Sequence, residues 1–376
     1  MLNKNSIDFK REFLIIGLGG SGCNSLFGLI KNDSKIPHLA VDTDSSSMNY
    51  FKKENIYLIG DNITNGNSTG GDIELARQAI EKEAFKIREI LKPIRLVIII
   101  AGLGGGTASG SLPVISRIAS EVKSQVLVFA SLPFIFEGKK RVNIANESIK
   151  RTRFHADAIV RLNNERISNK TKKLNAETAF KESHKIMINA SLSLWLICSR
   201  PGICGLDFSS INTILRYCDG FCHYVELKID KKTSFKKSIT KLINHPSSNK
   251  GLLWKGAPGV IILIRGNESL KLYEIEAIME AIHNELSDNA WVNFGMQIDK
   301  DIKDIYITSL VAESWKEPLV ESNQSTFDNL TNSNFQNTFE LDESNKGVFS
   351  DMDATIYNNE DLDIPTYRRR NIKLPK

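Results

Sequence analysis

The chain has 376 residues, of which 41% are hydrophobic and 25% are charged, and it carries a formal net charge of +5. These values are typical of a globular protein with room for two domains, and they exclude low-complexity and collagen-like chains. No early segment resembles a signal peptide and no apolar run is long enough to cross a membrane, so we expect neither feature.

Strand and helix patterns alternate through the first half of the chain. The strand patterns are EFLIIG, HLAVD, IYLIG, RLVIIIA, QVLVFASL and AIVRL. Helical patterns run to about Lys31, through DIELARQAIEKEAFKIREIL with Asp72 as its N-cap, from Ser111 to Val122, and again before AIVRL. Near-continuous apolar strands separated by helices predict a parallel sheet that is covered on both faces.

The second half changes character. A helical pattern without Gly or Pro runs from Ala176 to about Ser199, and Arg200-Pro201-Gly202 ends it. The strand patterns HYVELKI, GVIILIRG, WVNFGMQI and DIYITSLVA then combine with helical patterns at 235–244 and 270–286. The predicted fold class is α/β: a Rossmann-like parallel-sheet domain (1–174), a long central helix (175–200), a smaller α+β domain (201–315), a disordered acidic linker (316–361) and a partner-binding peptide (362–376).

Charge and cysteine content narrow the possible partners. Residues 317–363 hold eleven acidic residues and one basic residue, whereas residues 364–376 hold five basic residues and no acidic one. The lysines of the remaining basic body lack interleaved aromatic residues, so we predict no nucleic-acid partner. The five cysteines are unpatterned, which is typical of a reducing compartment. Cys218, Cys222 and His223 are conceivable metal ligands, but a structural zinc site needs four, so we favour buried thiols and predict no metal site.

Two glycine-rich segments each follow a predicted strand. GLGGSG (Gly17 to Gly22) follows EFLII, and GGGTASG (Gly104 to Gly110) follows RLVIIIA. A strand that ends in glycines and reopens as a helix presents backbone N–H groups that can wrap a phosphate. Two such loops in one domain predict a long polyphosphate that is held from two sides.

A nicotinamide-dependent dehydrogenase is the competing interpretation of the first loop. Gly17, Gly19 and Gly22 also match the dinucleotide-binding pattern, and Asp42 follows at the spacing that such a fold requires. The second loop argues against this interpretation, because a dinucleotide does not need another phosphate cradle after a later strand.

Seven motifs occur in one order along the chain: GLGGSGCN, AVDTD, TGGDIE, GLGGGTASG, PFIFEGKKR, RPGICGLDF and DIPTYRRR. With them, the chain resembles the FtsZ family of bacterial cell-division GTPases in the tubulin/FtsZ superfamily, as a divergent member. The resemblance covers residues 1–313 and the last dozen residues. It implies a GTPase that polymerises head-to-tail into filaments of the cytokinetic ring. An alternative is a nucleotide-binding structural filament protein with weak or no hydrolysis.

The resemblance also implies a location and partners. It places the protein in the cytoplasm at the division site, as a mid-cell ring on the inner face of the membrane. Membrane-attached division adaptors would bind residues 362–376, with Ile364 and Tyr367 as apolar contacts. The protein itself would not insert into the membrane.

The ligand that the resemblance implies is GTP or GDP, with Mg²⁺ held mainly by the phosphates. The implied binding residues are Gly20, Ser21, Gly22, Cys23, Asn24, Thr43, Asp44, Gly70, Gly71, Gly104, Gly105, Gly106, Thr107, Ala108, Ser109, Gly110, Glu137, Arg141, Asn163, Phe180 and His184. Glu137 takes the ribose hydroxyls, Asn163 lies at the base pocket and Phe180 stacks on guanine. Asp207 of a neighbouring subunit is the implied catalytic residue, which orients the attacking water. From the residues alone, a helix-cap role for Asp44 and Asp207 is as well supported as a functional role. Glu137 and Arg141 could likewise form an ordinary surface ion pair.

The sequence departs from the family pattern at several of these positions. Ala108 stands where glycine is usual, which predicts a stiffer loop, and Asp42 stands where asparagine is usual. His184 replaces an aspartate or asparagine, and a neutral imidazole has one acceptor, so we predict weaker guanine discrimination. Gly205 and Ser210 replace an asparagine and an acid beside Asp207, which predicts slow turnover.

Overall fold

The structure is a computed structural model that describes residues 13–164, 175–199, 206, 220–229, 235–245, 252–300, 302–313, 356–357 and 360–361. The chain divides into two units, Met1–Pro318 and Leu319–Lys376. In the second unit, the described residues form a short antiparallel pair, Ile356–Tyr357 with Glu360–Asp361. This pair lies within the segment that the sequence predicts to be a linker.

The first unit contains one ten-stranded sheet, and its first six strands are parallel. They are β1 (Phe13–Leu18), β2 (His38–Asp42), β3 (Ile56–Leu58), β4 (Leu96–Gly102), β5 (Gln125–Leu132) and β6 (Ala158–Asn163). Their spatial order is β3-β2-β1-β4-β5-β6, which confirms the predicted Rossmann-like sheet. β1 and β4 are buried along their whole length apart from the last residue of β4, as expected of strands with helices on both sides.

The helices of this half are α1 (Gly19–Asn32), α2 (Asp61–Thr64), α3 (Ile73–Lys82), α4 (Ala84–Leu91), α5 (Gly106–Glu121) and α6 (Lys139–Thr152). The side chain of Asp72 accepts a hydrogen bond from the Leu75 N–H at 3.0 Å, which confirms the predicted N-cap. The single predicted helix after Asp72 is wrong, because it breaks at Glu83. The Glu83 carboxylate accepts a hydrogen bond from the Tyr57 hydroxyl of β3 at 2.8 Å, and the break lets both α3 and α4 bury apolar residues.

The sheet continues into the second half of the chain. The described elements of this half are β7 (Gly220–Ile229), α8 (Phe235–Ile243), α9 (Leu252–Lys255), β8 (Gly259–Gly266), α10 (Leu272–His283), β9 (Trp291–Ile298) and β10 (Ile305–Ala312). β7 is parallel to β6 and β8 is parallel to β9, whereas β10 is antiparallel to both β7 and β8. The strands predicted for a separate α+β domain therefore extend the first sheet; the domain boundaries remain a prediction.

The long helix α7 (Ala176–Ser199) joins the two halves. Met187, Ala190 and Leu194 belong to one buried cluster with residues of β1, β4, β8 and β10. Polar contacts hold the helix at both ends of its central part: the Asn189 amide donates to the Glu226 carboxylate at 2.9 Å, and the Trp195 indole donates to Asp33 at 3.0 Å. The predicted central helix is thus confirmed as an element that packs on both parts of the sheet.

In the part of the chain that the structure describes, no helix combines the length and apolar character needed to cross a bilayer.

Candidate nucleotide site

A cavity of about 360 Å³ opens at the point where the strand order of the parallel sheet reverses. β1 and β4 are neighbours, and the next strands along the chain, β2 and β5, lie on opposite sides of them. The crevice at the carboxyl ends of such strands is where open α/β sheets bind ligands. The volume is within the range of small-molecule sites.

Two helices begin at this cavity. α1 starts directly after β1, and α5 starts after the loop that follows β4; neither N-terminus carries a side-chain cap. Gly20 and Ser21 of α1 and residues 105–108 at the start of α5 line the cavity. Uncapped first turns present backbone N–H donors and partial positive charge, so two of them directed at one cavity favour an anionic ligand.

The glycines of the second loop have different surroundings. A Cβ added to Gly105 would meet no atom within 4 Å, so this residue forms an open part of the cavity wall. A Cβ on Gly106 would lie 2.1 Å from Thr69 Oγ1 and 2.9 Å from the Asp72 nitrogen, so Gly106 lets the neighbouring loop approach. The Thr69 hydroxyl is buried and has no hydrogen-bond partner among the described residues.

Two aspartates lie at the carboxyl end of β2: Asp42 is the last residue of the strand, and Asp44 follows two residues later. The buried Asp42 carboxylate accepts hydrogen bonds from the Thr43 N–H at 2.8 Å and the Ser47 hydroxyl at 2.6 Å, and burial raises its pKa. Oδ1 of Asp44 accepts from the Ser46 N–H at 2.9 Å and caps the short turn Ser45–Met48. Both aspartates line the cavity, so the cap interpretation of Asp44 is confirmed without removing it from the site.

For GTP, the ligand that the resemblance implies, we predict that Asp42→Asn tightens binding about tenfold, because it removes a charge that would repel phosphate while keeping an oxygen for the Thr43 N–H. The raised pKa sets the sign of the pH effect. Wild-type affinity should rise as the pH falls and the carboxyl takes up a proton, so the difference from the variant should shrink. Calorimetric titration at several pH values checks this, and weaker Mg²⁺-dependent binding by the variant would mean that Asp42 acts through a cation instead.

The opposite wall contains an ion pair and aromatic rings. Glu137 accepts from the Phe134 N–H at 2.9 Å and pairs with Arg141 at 2.6 Å, and both charged residues line the cavity. The ring of Phe180, which also lines the cavity, packs edge-on against Phe134 with their centroids 5.1 Å apart. Phe180 is 38% exposed, so part of its face is available to a flat ligand.

His184 lies one turn after Phe180 on α7 and also lines the cavity. Its Nδ1 is 2.7 Å from the hydroxyl oxygen of Ser25 on α1. Burial lowers the pKa of the imidazole, so the ring is neutral at neutral pH. Ser183 and Asn164 also line the cavity, and the Ser183 hydroxyl donates a hydrogen bond to the Asn164 amide oxygen at 2.6 Å.

Many of the predicted binding residues come together in this one cavity. They are Gly20, Ser21, Asn24, Asp44, Gly105, Gly106, Thr107, Ala108, Glu137, Arg141, Phe180 and His184. The structure shows that these residues line one cavity. Their contact with a nucleotide remains a prediction.

Other predicted residues serve the packing around the cavity. A Cβ on Gly22 would lie 2.3 Å from the Ile100 carbonyl oxygen of β4, and one on Gly110 would lie 2.3 Å from the Ile73 carbonyl oxygen of α3. Cys23 is buried against the Gly17 carbonyl, and burial raises the pKa of its thiol. None of these three residues lines the cavity, and the two glycines let α1 and α5 lie close to their neighbours.

A further group stands near the cavity without lining it. The Gly104 N–H donates to the Ser109 hydroxyl at 2.9 Å, so this pair holds the loop, and the Thr43 hydroxyl is 2.9 Å from that of Thr107. Gly70 and Gly71 have φ of +62° and +89°, which explains the glycines there. Their predicted closure over the γ-phosphate remains a prediction.

One predicted binding residue is the direct neighbour of the residue that lines the cavity. Asn164 lines the cavity and Asn163 does not. Asn163 is the last residue of β6, and successive side chains of a strand point to opposite faces, so a shift of one residue exchanges the sides. Asp207, Gly205, Ser210 and the peptide 362–376 lie outside the described residues.

Several lining residues were not predicted from the sequence. They are Gly19, Ser47, Ser68, Gly102, Leu103, Ser131, Leu132, Pro133, Asn164 and Ser183. Many of them stand at the carboxyl ends of β1, β4, β5 and β6, so the order of the parallel strands would have indicated those members. Ser68 takes part in the loop by accepting from the Gly70 N–H at 3.4 Å. Within the described ranges, no group of three or more His, Cys, Asp or Glu side chains is arranged to hold a metal ion.

Comparison with known families agrees with this geometry. The model of the Tubulin/FtsZ family GTPase domain matches residues 12–172, which contain both phosphate-type loops, and that of the FtsZ family C-terminal domain matches residues 229–316. Together the two cover more than half of the chain. The chain belongs to the FtsZ family.

Individual relatives support this assignment at low identity. The chain is 27% identical to cell division protein FtsZ 1 of Methanocaldococcus jannaschii over 304 residues, which are 80% of this chain and 82% of the relative. It is 29% identical to cell division protein FtsZ of Coxiella burnetii over 295 residues, 78% of this chain and 76% of the relative. An FtsZ dimer from M. jannaschii has a TM-score of 0.76 at 24% identity, covering 85% of this chain and 96% of that one, and shows the shared fold.

One departure from the usual FtsZ pattern has a simple structural explanation. Ala108 lies within α5 and is not among the non-glycine residues with positive φ in the described chain, which are Asn65 and Lys123. An alanine stiffens a loop chiefly where the backbone needs a positive φ angle, and Ala108 is not in that conformation. The alanine methyl instead fills space beside Gly19, whose added Cβ would lie 3.1 Å from it. The first turns of α1 and α5 are thus in close contact.

Proposed function

We propose that this FtsZ-family chain binds GTP and GDP in the cavity and hydrolyses GTP in a filament of head-to-tail subunits. One observation carries the proposal: the uncapped N-termini of α1 and α5 converge on one cavity, at the point where the strand order reverses. A phosphate chain would lie between these helices, and the base would lie toward Phe180 and His184.

The charge of the cavity wall supports a cation that accompanies the nucleotide. Among the lining residues that the structure describes, Asp42, Asp44 and Glu137 are acidic and Arg141 is basic. A triphosphate placed there adds several negative charges beside these carboxylates. We propose that Mg²⁺, bound mainly by the phosphates, offsets this repulsion.

Hydrolysis would need a second subunit. By resemblance, Asp207 in the loop GLDFSSI reaches the nucleotide of the adjacent subunit and orients the attacking water. A contact that joins two different surfaces repeats head-to-tail and builds a filament. The dimer in which the M. jannaschii relative was solved supports self-association as the assembly to test.

The cellular role follows from the same proposal. The filaments would form the cytokinetic ring in the cytoplasm, on the inner face of the membrane. Residues 362–376, which combine Ile364 and Tyr367 with a basic cluster, would bind membrane-attached division adaptors.

Sedimentation with simultaneous measurement of phosphate release tests the proposed function. With GTP and Mg²⁺ we expect the protein to pellet and to release phosphate at a rate below that usual for the family, because Gly205 and Ser210 stand where an asparagine and an acid usually accompany Asp207. With GDP, or without nucleotide, we expect it to remain in the supernatant. A protein that stays unassembled with every nucleotide would contradict the proposal, and fast turnover would contradict the predicted effect of Gly205 and Ser210.

A further inference from the structure

Ser25 makes two hydrogen bonds with different chemical requirements. Its hydroxyl oxygen lies 2.7 Å from His184 Nδ1 and 3.0 Å from the carbonyl oxygen of Ser21, one helical turn earlier on α1. Ser25 is fully buried, so water does not supply alternative partners. A hydroxyl carries one proton, and a carbonyl oxygen can only accept.

These requirements select one arrangement of protons. The Ser25 hydroxyl donates to the Ser21 carbonyl, and Nδ1 of His184 carries a proton and donates to the Ser25 oxygen. The reverse arrangement would place two oxygens 3.0 Å apart with no proton between them. Two consecutive hydrogen bonds in a buried place also reinforce each other.

The other ring nitrogen is then an acceptor. The imidazole is neutral at neutral pH because burial lowers its pKa, so Nε2 has a lone pair and no proton. Among the described residues, Nε2 makes no hydrogen bond, and His184 lines the cavity. The wall thus offers a ligand one acceptor of fixed type at this point.

We propose that Nε2 of His184 accepts the N1–H of guanine, and that Ser25 is the positioning residue that fixes the required histidine tautomer. This inference rests on the proposed function, because it concerns the nucleotide in the same cavity. Phe180, one turn away, offers a ring face to the base, so the edge of a stacked purine would point toward His184.

The chemistry of the purine edge makes the inference selective. Guanine and hypoxanthine carry a proton on N1, whereas adenine has a lone pair there and would face the lone pair of Nε2. One acceptor can read one proton, so the 2-amino group that guanine has and hypoxanthine lacks is not read by His184. The neighbouring Asn164 uses its amide oxygen to accept from Ser183, so its N–H groups are what it presents to a ligand.

Binding of three diphosphates to the full chain measures this selectivity without hydrolysis. We expect GDP and IDP to bind within about threefold of each other and ADP about tenfold more weakly, the effect of one neutral hydrogen bond. Ser25→Ala frees the tautomer, so the GDP preference over ADP should fall to about twofold or less. Ser116→Ala is the matched control, because Ser116 is a buried helical serine that does not line the cavity, and it should keep the wild-type ratio.

The tautomer itself has a direct readout. In ¹⁵N NMR of histidine-labelled wild-type protein, we expect the His184 signals of a protonated Nδ1 and an unprotonated Nε2, and Ser25→Ala should move them toward the opposite tautomer. A protonated Nε2 in the wild type, or an unchanged GDP-to-ADP ratio in a folded Ser25→Ala, would overturn the inference. Wild-type protein that binds none of the three diphosphates would instead overturn the proposed function.

Discussion

Replacing Gly22 with alanine is expected to lower the free energy of unfolding by about 3 kcal/mol, the upper end of the usual cost of overpacking. The added Cβ would lie 2.3 Å from the Ile100 carbonyl oxygen and 3.2 Å from the Gly17 carbonyl carbon. Both obstacles are backbone atoms of the central strands, which cannot turn aside as a side chain can. Helix α1 would have to move away from β4, and the cavity between α1 and α5 would widen.

Gly28 on the same helix provides the matched control. Its added Cβ would meet the end of the Ile188 side chain at 2.4 Å, and that flexible group can adopt another rotamer. Alanine also stabilises a helix interior by about 1 kcal/mol relative to glycine, so Gly28→Ala should change stability little. Urea unfolding of the two variants beside the wild type measures the difference.

The pair of variants also separates two roles for Gly22. If Gly22 is a packing residue, Gly22→Ala loses stability in the absence of any nucleotide. A Gly22→Ala protein with wild-type unfolding but impaired GTP binding would show that the residue contacts phosphate, as the sequence pattern alone had indicated.

Replacing Asp207 with alanine is expected to reduce GTP turnover at least 100-fold, the usual cost of removing one essential polar group from such a site. GTP affinity should stay within about twofold, because the proposed role of Asp207 is to orient water on the neighbouring subunit's nucleotide. Phosphate release measures the first quantity and calorimetric binding to dilute protein measures the second.

The control for Asp207→Ala is the loss of a carboxylate elsewhere. Glu89 lies exposed on α4 and does not line the cavity, so Glu89→Ala should keep wild-type turnover. Turnover by Asp207→Ala within a few fold of the wild type would show that hydrolysis proceeds without this residue. Loss of GTP binding together with turnover would show that Asp207 supports its own subunit.

The position of the cavity was predictable from the sequence because its signals are local. Apolar strands that end in glycine and reopen as helices identified the loops after β1 and β4, and parallel strands bring such loops to one edge of the sheet. The N-cap at Asp72 was equally local, because a cap depends on neighbours three residues away.

The packing of the site depends on contacts between distant residues, which a pattern does not contain. Gly22 and Gly110 belong to glycine-rich motifs, but their closest neighbours are Ile100 and Ile73. Motif membership indicated a contact with the ligand, which stays a prediction, and it did not indicate these contacts between elements.

Two further differences have the same origin. Asn163 was predicted at the base pocket, whereas Asn164 lines the cavity, because the residue at which β6 ends decides which of two adjacent side chains faces the cavity. The contact between Ser25 and His184 joins residues 159 positions apart. Which ring nitrogen of His184 acts as the acceptor could therefore be inferred only from the fold.

Complementation between two inactive variants tests the central claim most directly. Asp207→Ala keeps the cavity but lacks the residue supplied to a neighbour, whereas Gly105→Val keeps Asp207 and places a branched side chain in the open part of the cavity wall. We predict that each variant alone releases almost no phosphate from GTP. An equal mixture should recover about a quarter of wild-type turnover, because a heterologous junction draws one group from each subunit. A mixture no more active than its two components would contradict a GTP site shared between adjacent subunits.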